Sequence, residues 1–205
     1  MQPHIHLDEG TGIRCAILPG DPARVERIAA YLDDVRDHGS HREYRSISGT
    51  WRGVPVLAMS TGMGGPSAAI AVEELRRIGV ESLIRIGSCG ALQTGIAVGD
   101  LILVQAAVRE EGTSQAYVPA AYPAVSDAAL LASDMETAAL LTVARLRGLR
   151  AMSILNTVVP WGGDTLDGIG AYSGGAEAAQ WGEAASIQTA LDACAAIERG
   201  EDWLA

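Results

Sequence analysis

A glycine turn near the N-terminus carries residue types suited to holding an anion. Gly20-Asp21-Pro22-Ala23-Arg24 follows an apolar run, Cys15 to Leu18, that predicts a buried strand. Asp21 can cap a helix and Pro22 suits its first turn. A glycine lets the backbone approach a ligand, and free amides at a helix start attract negative charge. Arg24 would add a planar fork that fits phosphate oxygens, although an ordinary turn with a solvent-facing arginine stays open.

A second arginine lies inside an apolar run. Arg85 belongs to Ser82-Leu83-Ile84-Arg85-Ile86, which predicts another buried strand, and Gly87-Ser88-Cys89-Gly90-Ala91 follows. Burying an arginine costs free energy unless it meets an anion or pairs with a carboxylate, and both readings stay open here. Ser88 would offer a hydroxyl just beyond the strand, where open α/β sheets bind ligands.

A third motif places carboxylates at a predicted helix start. Ser133-Asp134-Met135-Glu136-Thr137 opens a helix that we expect to run from Asp134 to Arg147. A carboxylate there could simply cap the helix. Alternatively, Glu136 points inward and binds a sugar diol, because a carboxylate can accept hydrogen bonds from two hydroxyls at once.

The histidines and cysteines are less informative. His41 could be a base, a ligand or a surface residue, and no cysteine–histidine arrangement supports nucleophilic catalysis. Cys15, Cys89 and Cys194 leave one thiol unpaired in any disulfide scheme, and no pair has metal-ligand spacing. We therefore expect a reduced, cytoplasmic protein, with Cys89 as a packed small residue.

Strands and helices alternate around these motifs, which predicts one α/β domain over residues 1–205 with a mixed, largely parallel sheet. A net charge of −10 argues against non-specific binding to nucleic acid or acidic membranes. No apolar run reaches the roughly 18 residues that span a bilayer, so we expect a soluble protein. The further predicted elements are a hairpin (Arg42 to Trp51, Val54 to Ser60), a glycine turn (Thr61 to Pro66) leading into a helix to about Ile78, strands Leu101 to Val108 and Arg150 to Val159, a flap or loop (Gly162 to Gly175) and a helix from Ala176 to about Arg199.

Together these segments resemble the nucleoside phosphorylase family, most closely its uridine phosphorylase branch. The resemblance covers about Pro3 to Asp127 and resumes at about Ala132. It implies a three-layer α/β/α fold with a central mixed sheet. It also implies a pentosyltransferase of nucleoside salvage, which uses inorganic phosphate to convert a pyrimidine nucleoside, most simply uridine, to ribose 1-phosphate and free base. The motifs that carry it, in order, are Leu18 to Arg24, His41-Arg42-Glu43-Tyr44, Ser60 to Ser67, Arg85 to Ala91 and Asp134 to Leu140.

The same resemblance implies roles by position. Arg42 resembles the arginine that reaches the phosphate of a neighbouring subunit. His6 resembles the histidine that a neighbouring subunit contributes to bind the ribose 5′-hydroxyl. Such shared sites imply a dimer-based homo-oligomer, usually a hexamer, with no required cofactor. The implied sets are Gly20, Arg24, Arg42, Arg85 and Ser88 for phosphate, His6, Met135 and Glu136 for ribose, and Glu43, Met63 and Ser67 for a monovalent cation such as potassium. Arg85 and Glu136 would be catalytic.

Two departures from the family pattern bear on base recognition. Only Ser126 to Ala132 separates the Tyr122-Pro123-Ala124-Val125 motif from the Met-Glu helix. The family has there a helix, a strand and the loop that reads the uracil edge, so we expect an omitted or deleted segment near residues 131–133. The last strand runs into Pro160-Trp161, without the acid of purine-specific relatives, and Trp161 could stack on a base or simply pack. A purine or methylthioadenosine phosphorylase, or an inactive nucleoside-binding homologue, remains the alternative.

Overall fold

The structure is a computed structural model that describes residues 1–119 and 130–201. The motif around Tyr122 and the junction from Ser126 to Ala129 lie outside the described residues. The strands are β1 (Cys15–Pro19), β2 (Asp33–His41), β3 (Tyr44–Trp51), β4 (Val54–Met59), β5 (Ser82–Ala91), β6 (Leu101–Leu103), β7 (Ala132–Ser133) and β8 (Arg150–Val159). The helices are α1 (Pro22–Ala29), α2 (Gly65–Arg77), α3 (Gly112–Tyr117), α4 (Thr137–Leu146), α5 (Thr165–Ser173) and α6 (Glu177–Arg199).

The described strands form one mixed sheet in the order β2-β3-β4-β1-β5-β8-β6, with β7 paired to β5. β4, β1, β5 and β8 are parallel neighbours at its centre. β2 and β3 extend one edge and β6 the other by antiparallel pairing. This agrees with the predicted fold class, because buried parallel strands need helices on both faces.

Side-chain alternation along β1 divides the core between the two faces of the sheet. Ala16 and Leu18 pack with the apolar faces of α2 and α4. Cys15 and Ile17 pack with α1 and α6, which gives the three-layer arrangement. The chemistry-bearing residues of α1 and α4 therefore approach the sheet from opposite faces.

The structure corrects the bounds of several predicted elements. β5 does not end at Ile86 but continues to Ala91, because its backbone keeps pairing with β8 through the glycines. β6 stops at Leu103 rather than Val108. α4 begins at Thr137 rather than Asp134, since Asp134 accepts a hydrogen bond from the Thr137 amide and ends the non-helical approach.

Four elements were absent from the sequence prediction: β2, α3, β7 and α5. β2 is a polar, largely exposed edge strand, so no apolar alternation marks it. The glycine-rich stretch after Trp161, expected to be a flap or loop, contains α5. Asp164 caps α5 by accepting from the amides of Leu166 and Asp167, which offsets the weak helix propensity of its glycines.

The expectation of reduced cysteines is wrong for one pair. Cys15 of β1 and Cys194 of α6 are fully buried and form a disulfide, with their Cα atoms 5.8 Å apart. A separation of 179 residues along the chain hides this contact from a sequence reading. Cys89 is a buried free thiol, as expected.

Within the part of the chain that the structure describes, we find no helix with the length and apolar character needed to cross a membrane.

Candidate active site

The Gly20 turn lies against the second glycine turn, between β4 and α2. The Thr61 amide donates to the Pro19 carbonyl (2.8 Å) and the Gly62 amide to the Gly20 carbonyl (3.0 Å). A Cβ placed on Gly20 would lie 3.1 Å from the Gly62 carbonyl oxygen, so glycine permits this close approach. Asp21 caps α1 by accepting from the Ala23 amide (2.9 Å), as its position in the sequence predicts.

Arg24 is buried beneath this turn and does not face solvent. Only 4% of its surface is exposed. Its Nε donates to Glu183 Oε2 (2.8 Å), and its Nη1 donates to the Ile86 carbonyl (3.0 Å). Its Nη2 donates to the Tyr172 hydroxyl (2.5 Å). The guanidinium group is therefore held in one orientation beside the end of β1.

Arg85, also 4% exposed, folds back over its own strand. A Cβ on Gly87 would lie 2.5 Å from Arg85 Nη2, which shows how closely the guanidinium covers that glycine. Its Nε donates to Asp134 Oδ2 (3.1 Å) and its Nη2 to Glu136 Oε2 (2.5 Å). Its Nη1 is buried and has no hydrogen-bond partner among the described residues. Arg85 thus pairs with carboxylates and still keeps N–H groups for another acceptor.

Ser88 lies within β5 and not beyond it, which corrects the sequence prediction. β1 ends at Pro19, opposite Ile86, so Gly87 and Ser88 extend past the end of β1. They therefore run alongside the turn at Gly20. β5 is therefore longer than the sequence predicts, and Ser88 lies at the end of the sheet where β1 gives way to the Gly20 turn.

Glu136 points inward, and Asp134 takes the capping role. Asp134 Oδ2 accepts from the Thr137 amide (3.1 Å) and hydroxyl (2.7 Å). The 7% exposed Glu136 accepts from the Gly64 amide (2.5 Å) as well as from Arg85. Met135, between the two acids, leaves 62% of its surface exposed.

Arg42 lies at the tip of the β2–β3 hairpin, between His41 and Glu43. Arg42 is exposed, has a positive φ of 56°, and makes no ion pair or hydrogen bond that we observe within residues 1–119 and 130–201. His41 beside it stacks on His6, with 3.6 Å between ring centroids. His6 and Arg42 are both exposed, and the stacking of His41 on His6 joins the N-terminal segment to the hairpin tip.

Glu43 and Ser67 are in direct contact. The Ser67 hydroxyl lies 2.8 Å from Glu43 Oε1 and also contacts the Thr61 carbonyl. The pKa of Glu43 is lowered, chiefly by a hydrogen bond from its own backbone amide and despite partial burial, so the carboxylate stays charged. Met63, in the neighbouring turn, is 86% exposed.

α5, which follows Trp161 in the chain, reaches Arg24 through Tyr172. Trp161 follows β8 and is 55% exposed, while α5 buries none of its residues. Tyr172 of α5 and Glu183 of α6 help to line a surface groove of about 620 Å³ between these helices and α1. Burial raises the pKa of Tyr172, which keeps its hydroxyl protonated.

Among the buried charges, carboxylates outnumber arginines, which does not favour the binding of an anion. Arg24 and Arg85 face three carboxylates whose side chains are at most 10% exposed, those of Asp134, Glu136 and Glu183. Burial acts to raise the pKa of Glu183, but Arg24, Tyr172 and Arg27 outweigh it and lower that pKa. A bound dianion would therefore need further positive charge from outside this cluster.

Sequence reasoning missed three members of the cluster. Asp134 was interpreted only as part of a helix start. An acidic residue two positions before Glu136 could have indicated a second carboxylate for Arg85. Tyr172 lies 148 residues from Arg24 along the chain and Glu183 lies 159 residues from it. No local sequence pattern predicts contacts over such separations.

Comparisons with known proteins show which proteins this chain is similar to. A family model described as "Phosphorylase superfamily" matches residues 14–133. A uridine phosphorylase of Thermococcus kodakarensis is 49% identical over 151 residues, covering 74% of this chain and 54% of that protein. A guanosine phosphorylase of Halorubrum lacusprofundi is 39% identical over 195 residues, covering 75% and 81%.

Solved structures extend the similarity to nearly the whole chain. The crystal structure of uridine phosphorylase from Vibrio fischeri ES114 superposes with a TM-score of 0.84 and is 36% identical, covering 95% of this chain and 97% of that one. By sequence, however, the chain spans about half the length of most curated relatives it matches, such as 50% of the uridine phosphorylase of Haemophilus influenzae.

Proposed function

This chain belongs to the phosphorylase superfamily, and from that premise we propose that it cleaves a pyrimidine nucleoside with inorganic phosphate. Uridine is the expected substrate, and ribose 1-phosphate and uracil are the products. The observation that carries this is Arg85, whose buried Nη1 lacks a partner in the described structure while Glu136 lies beside it. A buried N–H group without a partner suits a phosphate oxygen.

The chemistry needs positioning more than a covalent nucleophile. The bond between ribose C1′ and the base nitrogen breaks, and the sugar becomes cation-like in the transition state. A phosphate fixed below C1′ stabilises that charge and forms the new C1′–O bond. The base departs with the bonding electron pair and takes up a proton. Glu136 would orient the ribose hydroxyls, with Met135 packed against the sugar.

Phosphate would be held from three directions. Gly20 and Arg24 would contribute from β1 and α1, and Arg85 and Ser88 from β5. Arg42 of a second subunit would supply the positive charge that the buried cluster lacks, because it is exposed and unpaired in the described structure. The same neighbour's His6 would bind the ribose 5′-hydroxyl. We therefore propose a homodimer with shared sites, assembled further into a hexamer in the cytoplasm.

A monovalent cation would bind where Glu43 meets Ser67. The carboxylate, the hydroxyl and the adjoining turn that carries Met63 offer oxygen atoms, which hard cations prefer. Potassium is the expected ion, held between subunits and not required for the chemistry.

The base is the least constrained part of the proposal. Trp161 would stack on it, because the side chain is exposed just after β8. Replacing Trp161 by Ala should then raise KM for the nucleoside without changing KM for phosphate. Trp181, also exposed on the surface, provides the matched control for that substitution. An unchanged KM for the nucleoside in the Trp161→Ala variant removes the stacking role.

We also propose that a base-reading segment near residues 131–133 is omitted or deleted. The alignment to the guanosine phosphorylase spans 195 residues yet covers 75% of this chain, so that relative contains positions with no counterpart here. An intact mass equal to the 21.3 kDa of the 205 residues would contradict an omission.

One assay tests the function. The protein is incubated with uridine, thymidine, inosine, guanosine or adenosine, with and without phosphate, and free base is measured. Release from uridine only when phosphate is present is the expected result. The guanosine phosphorylase relative makes a purine nucleoside the second candidate, and faster release from guanosine would favour it. No release from any nucleoside would contradict the proposal and favour an inactive nucleoside-binding homologue.

A further inference from the structure

Three helices converge on the guanidinium of Arg24. Arg24 comes from α1, Glu183 from α6 and Tyr172 from α5. Glu183 is 6% exposed, and its carboxylate accepts from Arg24, from the Tyr172 hydroxyl and from both Nε and Nη2 of Arg27. The family motifs quoted above include none of these partners.

The three contacts on Arg24 differ in kind. Glu183 binds Nε as a charged acceptor (2.8 Å), and the Ile86 carbonyl binds Nη1 (3.0 Å) from the sheet. Together they fix the plane of the guanidinium. The third acceptor, on Nη2, is the neutral hydroxyl of Tyr172 (2.5 Å). Of these three acceptors, the phenol is the one that an incoming anion can displace most readily. Glu183 is a charged acceptor and the Ile86 carbonyl is fixed in the sheet, whereas Tyr172 belongs to α5, which buries none of its residues.

Glu183 is well suited to stay in place during such an exchange. Arg27 binds it from the solvent side, and Arg27 itself contacts Asp21 (3.0 Å) in the first turn after Gly20. Losing Tyr172 would therefore leave Glu183 paired with two arginines. Glu183 would continue to orient Arg24 while the Nη2 edge became free.

We propose that Glu183 is a positioning residue that holds Arg24 for phosphate, and that phosphate replaces the Tyr172 hydroxyl on Arg24 Nη2. This rests on the proposed function only in taking phosphate as the ligand. The proposal predicts opposite effects on phosphate binding for Glu183 and Tyr172, the two side chains that contact the Arg24 guanidinium. Loss of the charge on Glu183 weakens phosphate binding, whereas loss of the Tyr172 hydroxyl strengthens it.

Calorimetric titration of the intact protein with inorganic phosphate tests both parts. Glu183→Gln keeps an acceptor but loses the charge, and it should weaken phosphate binding about tenfold. Tyr172→Phe removes the competing acceptor and should tighten phosphate binding about threefold. Glu198→Gln is the matched control, because Glu198 is on the same helix and pairs with Arg14 (2.8 Å) at the far end. It should bind phosphate like the unaltered protein.

Kinetics separate positioning from general damage. In Glu183→Gln, KM for phosphate should rise about tenfold, while KM for uridine changes less than about twofold. Parallel changes in both constants, or unchanged phosphate affinity, would overturn the role of Glu183. Weaker phosphate binding by Tyr172→Phe would overturn the exchange. If Glu183→Gln does not fold, Tyr172→Phe still tests the exchange, since it keeps the Arg24–Glu183 pair.

The outcomes also distinguish this inference from the proposed function. Phosphate binding with the expected pattern, but no base release from any nucleoside, would support the Arg24 arrangement and contradict the phosphorylase activity. An unaltered protein that binds no phosphate would overturn the inference itself.

Discussion

At the scale of single residues, a glycine determines where an arginine can lie. The guanidinium of Arg85 occupies the space that a side chain at position 87 would need, and Leu155 Cδ2 lies only 3.0 Å from the same point. Gly87 is therefore required for the conformation of a neighbour rather than for its own backbone angles. The sequence shows that Gly87 follows Arg85 by two positions, but it does not show that the Arg85 side chain folds back over Gly87.

Gly87→Ala should expel the Arg85 guanidinium from its position between Asp134 and Glu136. We expect kcat/KM for phosphate to fall by about a hundredfold, a loss of the size seen when one positioned electrostatic donor is removed. Gly90→Ala, on the same strand as Gly87, is the control. A Cβ there would meet only Val159 of β8, at an ordinary 3.7 Å. Equal losses in both variants would mean that the strand, and not Arg85, had been disturbed.

At the scale of elements, the N-terminal segment is fixed to α2 by one buried acid. Glu74 is 3% exposed and accepts from the His4 amide (3.0 Å), the His4 ring (2.5 Å) and the Ile5 amide (2.9 Å). Burial acts to raise the pKa of Glu74, but these hydrogen bonds outweigh it and lower the pKa from its usual 4.5. This contact places His6 and its stacking partner at the hairpin end.

The lowered pKa of Glu74 determines how the free energy of unfolding depends on pH. The stabilisation by Glu74 is complete above its unfolded pKa and is lost as pH falls through the lower, folded pKa. Glu74→Gln should therefore cost about 1–2 kcal/mol of unfolding free energy near pH 7, and less near pH 3. Urea denaturation at both pH values measures this. Glu9→Gln, an exposed acid in the same segment, should behave like the unaltered protein, and a pH-independent loss in Glu74→Gln would contradict the linkage.

The elements that could be predicted are those whose apolar pattern is local. β8 has the predicted bounds, Arg150–Val159, because its residues from Ser153 onward form a continuous buried run, and α6 differs by one residue at its start. β2 and α5 were missed because they bury little, and their sequences are polar or rich in glycine. Likewise the sequence points to Arg24 and Arg85 but not to Tyr172 and Glu183, because tertiary packing alone brings these two residues to Arg24.

At the scale of the whole molecule, the site is completed by a second chain if Arg42 acts as we propose. A mixture of two variants tests this. Arg42→Ala alone and Glu136→Gln alone should each lack activity, but refolding or subunit exchange of the mixture should restore it. Random pairing of two-fold dimers gives one intact site in each mixed dimer, hence about a quarter of full activity. No recovery in mixed dimers that are shown to form would contradict shared sites.

The bond between Cys15 and Cys194 makes most of the polypeptide a closed covalent ring. Cutting the backbone once, anywhere between these two positions, would open the ring without releasing a fragment. A protease nick on an exposed loop should therefore pass unnoticed on a gel run without reductant and appear as two bands once the sulfurs are reduced. Two bands under both conditions would show that β1 and α6 are held together by packing alone.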